Sequence, residues 1–233
     1  EVGQVAILRH DGARGREGDL LVVLGAALGA QVEVAGELAE DRDAVARLRE
    51  LCGAERLDGA AAHRTEHSVE FAAVALRHLH GEAPVAIVPV LCGSLHEALH
   101  DGVKPGEIEE VRVFVDALRQ LIEEYGGDVC VVASVDMSHV GLKFGDAEDV
   151  DDTRAEEVRQ ADMEMIERIQ AMDAEGFFDH FRADCNARNV DAVTAVYVLL
   201  KTLGAGEGRL IEYDQWREEE TGSMVTYASM AIH

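Results

Sequence analysis

The run Val129-Cys-Val-Val-Ala133 offers water no polar side chain on either face, so it folds stably only as a strand covered on both sides. Gly126-Gly127 stands just before it and stops a helix predicted over 107–125, where Val111, Phe114, Val115, Leu118 and Leu121/Ile122 fall in register. A doubly buried strand fed by a helix is the repeating unit of a layered α/β fold. Similar short apolar runs occur at 5–8, 20–24 and 84–91. Helical spacing is predicted over 41–51, with Val45, Leu48 and Leu51 on one side. A second helix follows Thr65 as its cap, with a stripe of Val69, Ala72, Ala73, Leu76 and Leu79. Further helices are predicted over 153–172, near 174–182 and over 190–203, and strands over 209–213 and 224–232 flank an acidic turn. The expected architecture is one α/β domain over residues 1–233, a mostly parallel central sheet flanked by helices. The link from His10 to Leu20 strains that picture, because a parallel crossover takes a dozen or more residues. The first two strands are therefore expected to be antiparallel, or to have lost the helix between them.

Charge narrows the function. Twenty-one basic residues against 46 acidic ones give −25 over 233 residues, which disfavours nucleic acid and anionic lipid as partners. Hydrophobic residues make up 48%, enough for a packed core despite the acidity. No apolar run approaches the ~20 residues of a membrane span, and no signal-peptide pattern is evident, so a cytoplasmic protein is expected. Four cysteines without a Cys-x-x-Cys pair form neither a zinc ribbon nor a disulfide framework. Only Lys104, Lys143 and Lys201 stand against 18 arginines, which fits either adaptation to high salt or an ordinary acidic surface.

Ligands of α/β sheets gather at the carboxyl ends of strands. His10 follows the first strand, and Asp136 and His139 follow the strand at 129–133, in Ala133-Ser-Val-Asp-Met-Ser-His139. Cys185 precedes the helix expected from 190, a position where the helix dipole suits a metal ligand or nucleophile. Glu66 and His67 read as capping and dipole partners, and the acidic run 146–152 as a solvated loop without calcium-loop spacing. No nucleophile elbow surrounds Ser68, Ser134 or Ser138. No Gly-rich phosphate loop follows any strand either, which disfavours hydrolase, dinucleotide and NTP chemistry.

Four strings occur in a telling order: Glu66-His-Ser-Val-Glu70, Val88-Pro-Val-Leu-Cys-Gly93, the stretch to His139, and Val225-Thr-Tyr-Ala-Ser-Met230. Together they resemble the Memo family, whose microbial members are called AmmeMemoRadiSam system protein B. The resemblance covers roughly residues 63–233 and implies a fold similar to the class III extradiol dioxygenases, which use non-haem iron(II). It implies metal ligands at His10 and Cys185, with Asp136 and His139 lining the pocket. A second ligand histidine of the family falls on Leu28 here, in Gly25-Ala-Ala-Leu28. Two ligands rarely hold a first-row metal, since catalytic sites usually offer three plus an open position.

Two functions are therefore expected in competition. One is a cleft bounded by His10, Asp136, His139 and Cys185 that binds iron, copper or zinc for redox or oxygen-dependent chemistry on a small molecule, with His139 as acid/base. The other is a divergent, metal-free binding or scaffold subunit that forms a homo-oligomer or pairs with a homologous or system protein.

Overall fold

The computed structural model describes residues 7–9, 19–26, 39–53, 68–81, 85–125 and 129–233. Two sheets organise it. In the first, β2 (Asp19–Ala26) lies between β4 (Val85–Cys92) and β5 (Val129–Ser134), with the short β3 (Ala39–Glu40) beyond β4. Every pairing in this sheet is parallel.

As the central strand, β2 buries Val22, Val23 and Leu24 completely. Alternation sends Val22 and Leu24 to one face and Val23 to the other. On the Val23 face, α2 (Ser68–His80) packs Val69, Ala72 and Leu76 against Val85 and Ile87. The opposite face carries α1 (Arg42–Cys52), α4 (Glu109–Tyr125) and α7 (Val193–Leu203), which join Val22, Leu24, Val88 and Val131 in the main core. Residues 195–200 of α7 are all buried, so this helix is covered on every side. Pro89 is tolerated inside β4 for a specific reason. The Ile87 carbonyl accepts from Asp41 N on the β3 side, and Pro89, two residues on, faces the same side past the last β3 pair, Glu40↔Ile87. Its missing N–H thus costs no ladder bond.

The second sheet is built on β8 (Ser223–Ile232). One edge of β8 pairs antiparallel with β7 (Gly208–Glu218). The other is shared between β6 (His139–Gly141), antiparallel at the start of β8, and β1 (Ile7–Arg9), parallel at its end. Behind it lies α5 (Asp152–Gln170), with α6 (Ala174–His180) packed against α5 and α7; the two helices are capped by Asp151 Oδ1 on Arg154 N and by Asp173 Oδ1 on Gly176 N.

The expectation of one mostly parallel sheet is thus corrected to a small parallel sheet flanked by helices plus a second, mainly antiparallel one. The puzzle of the first connection dissolves as well. β1 and β2 are not neighbours, since β1 pairs with β8 while β2 pairs with β4 and β5, so no tight crossover joins adjacent strands. Three short elements carried too little pattern to be expected: β3, β6 and the helix α3 (His96–Asp101). β7 runs on to Glu218 because pairing with β8, ending at Glu218↔Ser223, holds its polar second half extended. Leu79 is 75% exposed, where helical spacing placed it in the stripe of α2; it lies in the last turn of the helix, beyond the packed residues Val69, Ala72 and Leu76. Among the described residues no helix is long and apolar enough to cross a membrane.

Candidate functional site

The parallel sheet delivers β4 and β5 to the same end, and the site forms there. β4 leaves through Cys92-Gly93 into α3. β5 leaves through Val135 and Asp136 and returns as β6, which begins at His139. Between them runs the loop from Asp184 to Ala192 that leads into α7.

A cleft of about 160 Å³ opens between α3 and this loop. Cys92 and His96 stand on one wall, and Asn186, Asn189, Asp191 and Thr194 on the other. Burial pushes the Cys92 thiol up to about 12, so it meets the cleft as a neutral group.

His139 adjoins this cleft through Asn189 and Asp191. Its Nδ1 lies 3.0 Å from the Asn189 carbonyl oxygen, which can only accept, so Nδ1 carries the hydrogen and donates. Nε2 then faces Asp136 Oδ2 at 3.4 Å and Asp191 Oδ2 at 4.0 Å. Two carboxylates around one imidazole favour the doubly protonated ring. Burial works against that charge, but Asp136 and Asp191 together hold the His139 pKa above the ordinary imidazole value. The three side chains are 12%, 18% and 28% exposed, so the cluster is shielded yet open to a small molecule. Phe144 packs edge-on against the ring, with centroids 5.0 Å apart.

The loop that carries Asn189 is held in an uncommon backbone. Cys185, Asn186 and Asn189 all have φ between 48° and 60°, a region asparagine tolerates better than most residues. Asn186 closes the turn on itself, donating from Nδ2 to the Val190 carbonyl and accepting from Val190 N. Asn189 Nδ2 donates to the His139 carbonyl, and His139 N donates to the Arg188 carbonyl at 2.7 Å. Loop and strand therefore lock each other.

Beneath the loop lies a buried polar knot. Asp162 of α5, with no exposed surface, accepts from Ser138 Oγ at 2.6 Å, Thr226 Oγ1 at 2.6 Å and Tyr213 OH at 2.9 Å. Arg188 donates from Nε to Ser138 Oγ at 3.1 Å and sits 3.8 Å from Asp162. Its other nitrogens reach His180 Nε2 at 3.0 Å and Asp184 at 3.7 Å.

Of the four residues expected at the site, Asp136 and His139 are brought together. Cys185 is exposed, one residue before the cleft-lining Asn186. The helix begins at Val193, eight positions after Cys185, rather than at 190. His10 lies outside the described residues, as do Leu28, Thr65, Glu66 and His67. Among the described residues, no group of three or more His, Cys, Asp or Glu is arranged to hold a metal ion. The sequence reading missed Asp191, Asn189, Arg188 and Asp162. One signal was available: Asp162 interrupts the buried face of α5 formed by Ala155, Val158, Met165, Ile166 and Ile169, where a lone carboxylate demands partners.

Comparison with known proteins places the chain in a family. The family model described as "Memo-like protein" matches residues 34–231, which takes in the parallel sheet from β3 onward, the cleft and all but the last residue of β8. The chain is 28% identical over 201 residues to a MEMO1 family protein of Aquifex aeolicus, covering 85% of this chain and 48% of that protein. It is 29% identical over 211 residues to one of Thermococcus kodakarensis, covering 87% and 66%. A third, from Thermus thermophilus, is 29% identical over 198 residues, covering 84% and 54%. The chain thus spans between about half and two thirds of the length of these relatives. With a match running from β3 almost to the end of β8, through both sheets and every wall of the cleft, this chain belongs to the family of Memo-like proteins.

Proposed function

We propose that the chain binds a small polar molecule in the cleft between α3 and the 184–192 loop, and that His139 transfers a proton to it. The observation that carries this reading is the placement of His139, with Nδ1 fixed on a carbonyl and Nε2 between Asp136 and Asp191. A ring held protonated acts as general acid through Nε2–H; Asp136 and Asp191 stabilise that protonated form, and the ring that has given up its proton takes one back from solvent. The finer fold likeness, to the extradiol dioxygenases, belongs to the same reading and accords with a site at the carboxyl ends of the strands.

The test is a fluorine-NMR fragment screen on wild type and His139→Gln. Fragments expected to support the reading move the amide signals of His96, Asn189 and Asp191, and bind wild type at least tenfold more tightly. Binding that is unchanged in His139→Gln sinks the assignment.

A second reading, in which His10 and Cys185 hold iron, copper or zinc for redox or oxygen-dependent chemistry, is favoured by the place of Cys185 beside the cleft loop. The described residues alone do not make a three-donor set, so this reading depends on His10. Elemental analysis of protein purified anaerobically without chelators, beside Cys185→Ala, decides it. Near-stoichiometric metal that falls in the variant supports it, and wild type that stays empty after reconstitution removes it. In that case a binding or scaffold role is left, with self-association or pairing to a homologous protein measured by light scattering.

A further inference from the structure

We infer that Arg188 and Asp162 are positioning residues that fix the ring of His139 and the wall of the cleft. The inference rests on the reading of His139 as the proton-transfer group.

Neither residue touches the cleft. Arg188 acts through its backbone and its side chain at once. Its carbonyl accepts from His139 N, so it sets the start of β6, while its guanidinium is anchored below on Ser138 Oγ, His180 and Asp184. Asp162 is the fixed point for that anchor. It takes the Ser138 hydroxyl on Oδ1 and the Thr226 hydroxyl on Oδ2. Thr226 Oγ1 in turn accepts from Ser138 N at 2.9 Å, while the Thr226 carbonyl accepts from Met137 N. The segment from Met137 to His139 is therefore clamped by β8 on one side and Arg188 on the other.

The arrangement is costly, which argues that it does more than fill space. It buries a carboxylate and a guanidinium where apolar side chains would pack with less desolvation. It also holds three non-glycine residues of one loop at positive φ. What it gains is at the ring: the Asn189 carbonyl that holds His139 Nδ1 is one residue from Arg188, so a loop free to move would release the tautomer. The charged groups that face this device are Asp136, Asp191 and Asp184 around the loop, and His180 and Glu164 on the helices behind it.

Long-range proton–nitrogen NMR of ¹⁵N-histidine-labelled protein tests the inference, with the His139 signals assigned from His139→Gln. In wild type, Nδ1 is expected to show a hydrogen-bonded proton, and the ring a midpoint above ordinary imidazole. In Ser138→Ala, Arg188→Lys and Thr226→Val the Nδ1 signature weakens, the tautomers mix and the midpoint falls; Thr226→Ser restores all three. Leu48→Ala, an equally buried substitution in α1 away from the knot, is expected to leave the ring unchanged. A His139 signature identical to wild type in folded Ser138→Ala and Thr226→Val overturns the inference, and these two variants decide it even where Arg188→Lys does not fold. Failure of the functional reading looks different: fragments would bind His139→Gln as well as wild type, while the ring signals would still respond to the knot.

Discussion

Replacing Asp162 by alanine is predicted to be among the most destabilising single changes in the protein. Asp162 has no exposed surface and accepts three hydroxyl hydrogen bonds, two of them 2.6 Å long. A hydrogen bond to a charged group contributes roughly 1.5–3 kcal/mol, and a buried donor left without an acceptor costs roughly 1–3 kcal/mol. Three such donors give an upper bound above the final value, because removal of a buried carboxylate relieves desolvation; Gln215 Nε2 only donates to Tyr213 OH and so does not replace its lost acceptor. The loss of the carboxylate also strands Arg188, held 3.8 Å away, although Asp184 remains near it. Breaking a buried ion pair from one side typically costs about 3–5 kcal/mol, and we take that range for Asp162→Ala. At about 2–4 °C per kcal/mol for a chain of this size, Tm falls by on the order of 10 °C. Urea unfolding followed by circular dichroism measures it, with Asp162→Asn as the milder partner. Burial raises the Asp162 pKa above 3.8 in the fold, against the pull of the three hydroxyls and Arg188. A raised carboxylate pKa contributes stability that is fully present below 3.8 and lost as pH climbs through the folded value. Wild type is therefore expected to outperform Asp162→Asn by more at acid pH than at neutral pH. A loss below about 1 kcal/mol in Asp162→Ala, at unchanged slope, would show that the knot is not a unit.

The other expectations concern packing, backbone and the ring. Leu118, wholly buried in α4, is predicted to lose about 2–5 kcal/mol as Leu118→Ala, whereas Leu79→Ala on the exposed end of α2 stays within about 0.5 kcal/mol, both by chemical denaturation. Gly141 has φ 104°, and a Cβ there would meet the Gly222 carbonyl at 2.5 Å. Gly141→Ala is expected to cost about 3 kcal/mol or more and to loosen β6 from β8, seen as faster amide exchange at Met224. Asp136→Asn removes one of the carboxylates beside His139, so the NMR midpoint of the ring falls toward its ordinary value. By linkage the raised His139 pKa contributes stability present below 6.5 and lost as pH rises past the folded midpoint. His180, whose pKa burial and Arg188 lower, contributes with the opposite sign: its share is present above 6.5 and lost on acidification. A bulk stability profile sums the two, so only residue-resolved titration separates them.

What could be read in advance follows from how locally each feature is encoded. Val22, Val23 and Leu24 announce a doubly buried strand because burial on both faces leaves no polar alternation to misread. α4 declares itself through 17 residues of periodic pattern. β7 is different. Its second half, Asp-Gln-Trp-Arg-Glu from 214 to 218, has no apolar face and is a strand only because β8 lies opposite. The separation of β1 from β2 is a tertiary fact of the same kind: nothing within residues 5–24 says that β8, more than 200 positions away, is the partner of β1.

The site divides along the same line. Asp136 and His139 stood out because they share one strand exit, three residues apart, where α/β sheets collect chemistry. Asp191 and Asn189 arrive from 50 residues downstream and look like ordinary loop residues until the chain closes, yet they fix the ring tautomer and shift its charge. Asp162 and Arg188 come from still other elements, and only their conflict with local rules could have flagged them: a carboxylate on the apolar face of a helix, a guanidinium in a loop that ends up buried. A residue at odds with its own segment is explained by another segment. Here both exceptions resolve into one knot, and that knot lies under His139: long-range contacts, which no local pattern encodes, hold the strand and the loop that carry the ring's partners.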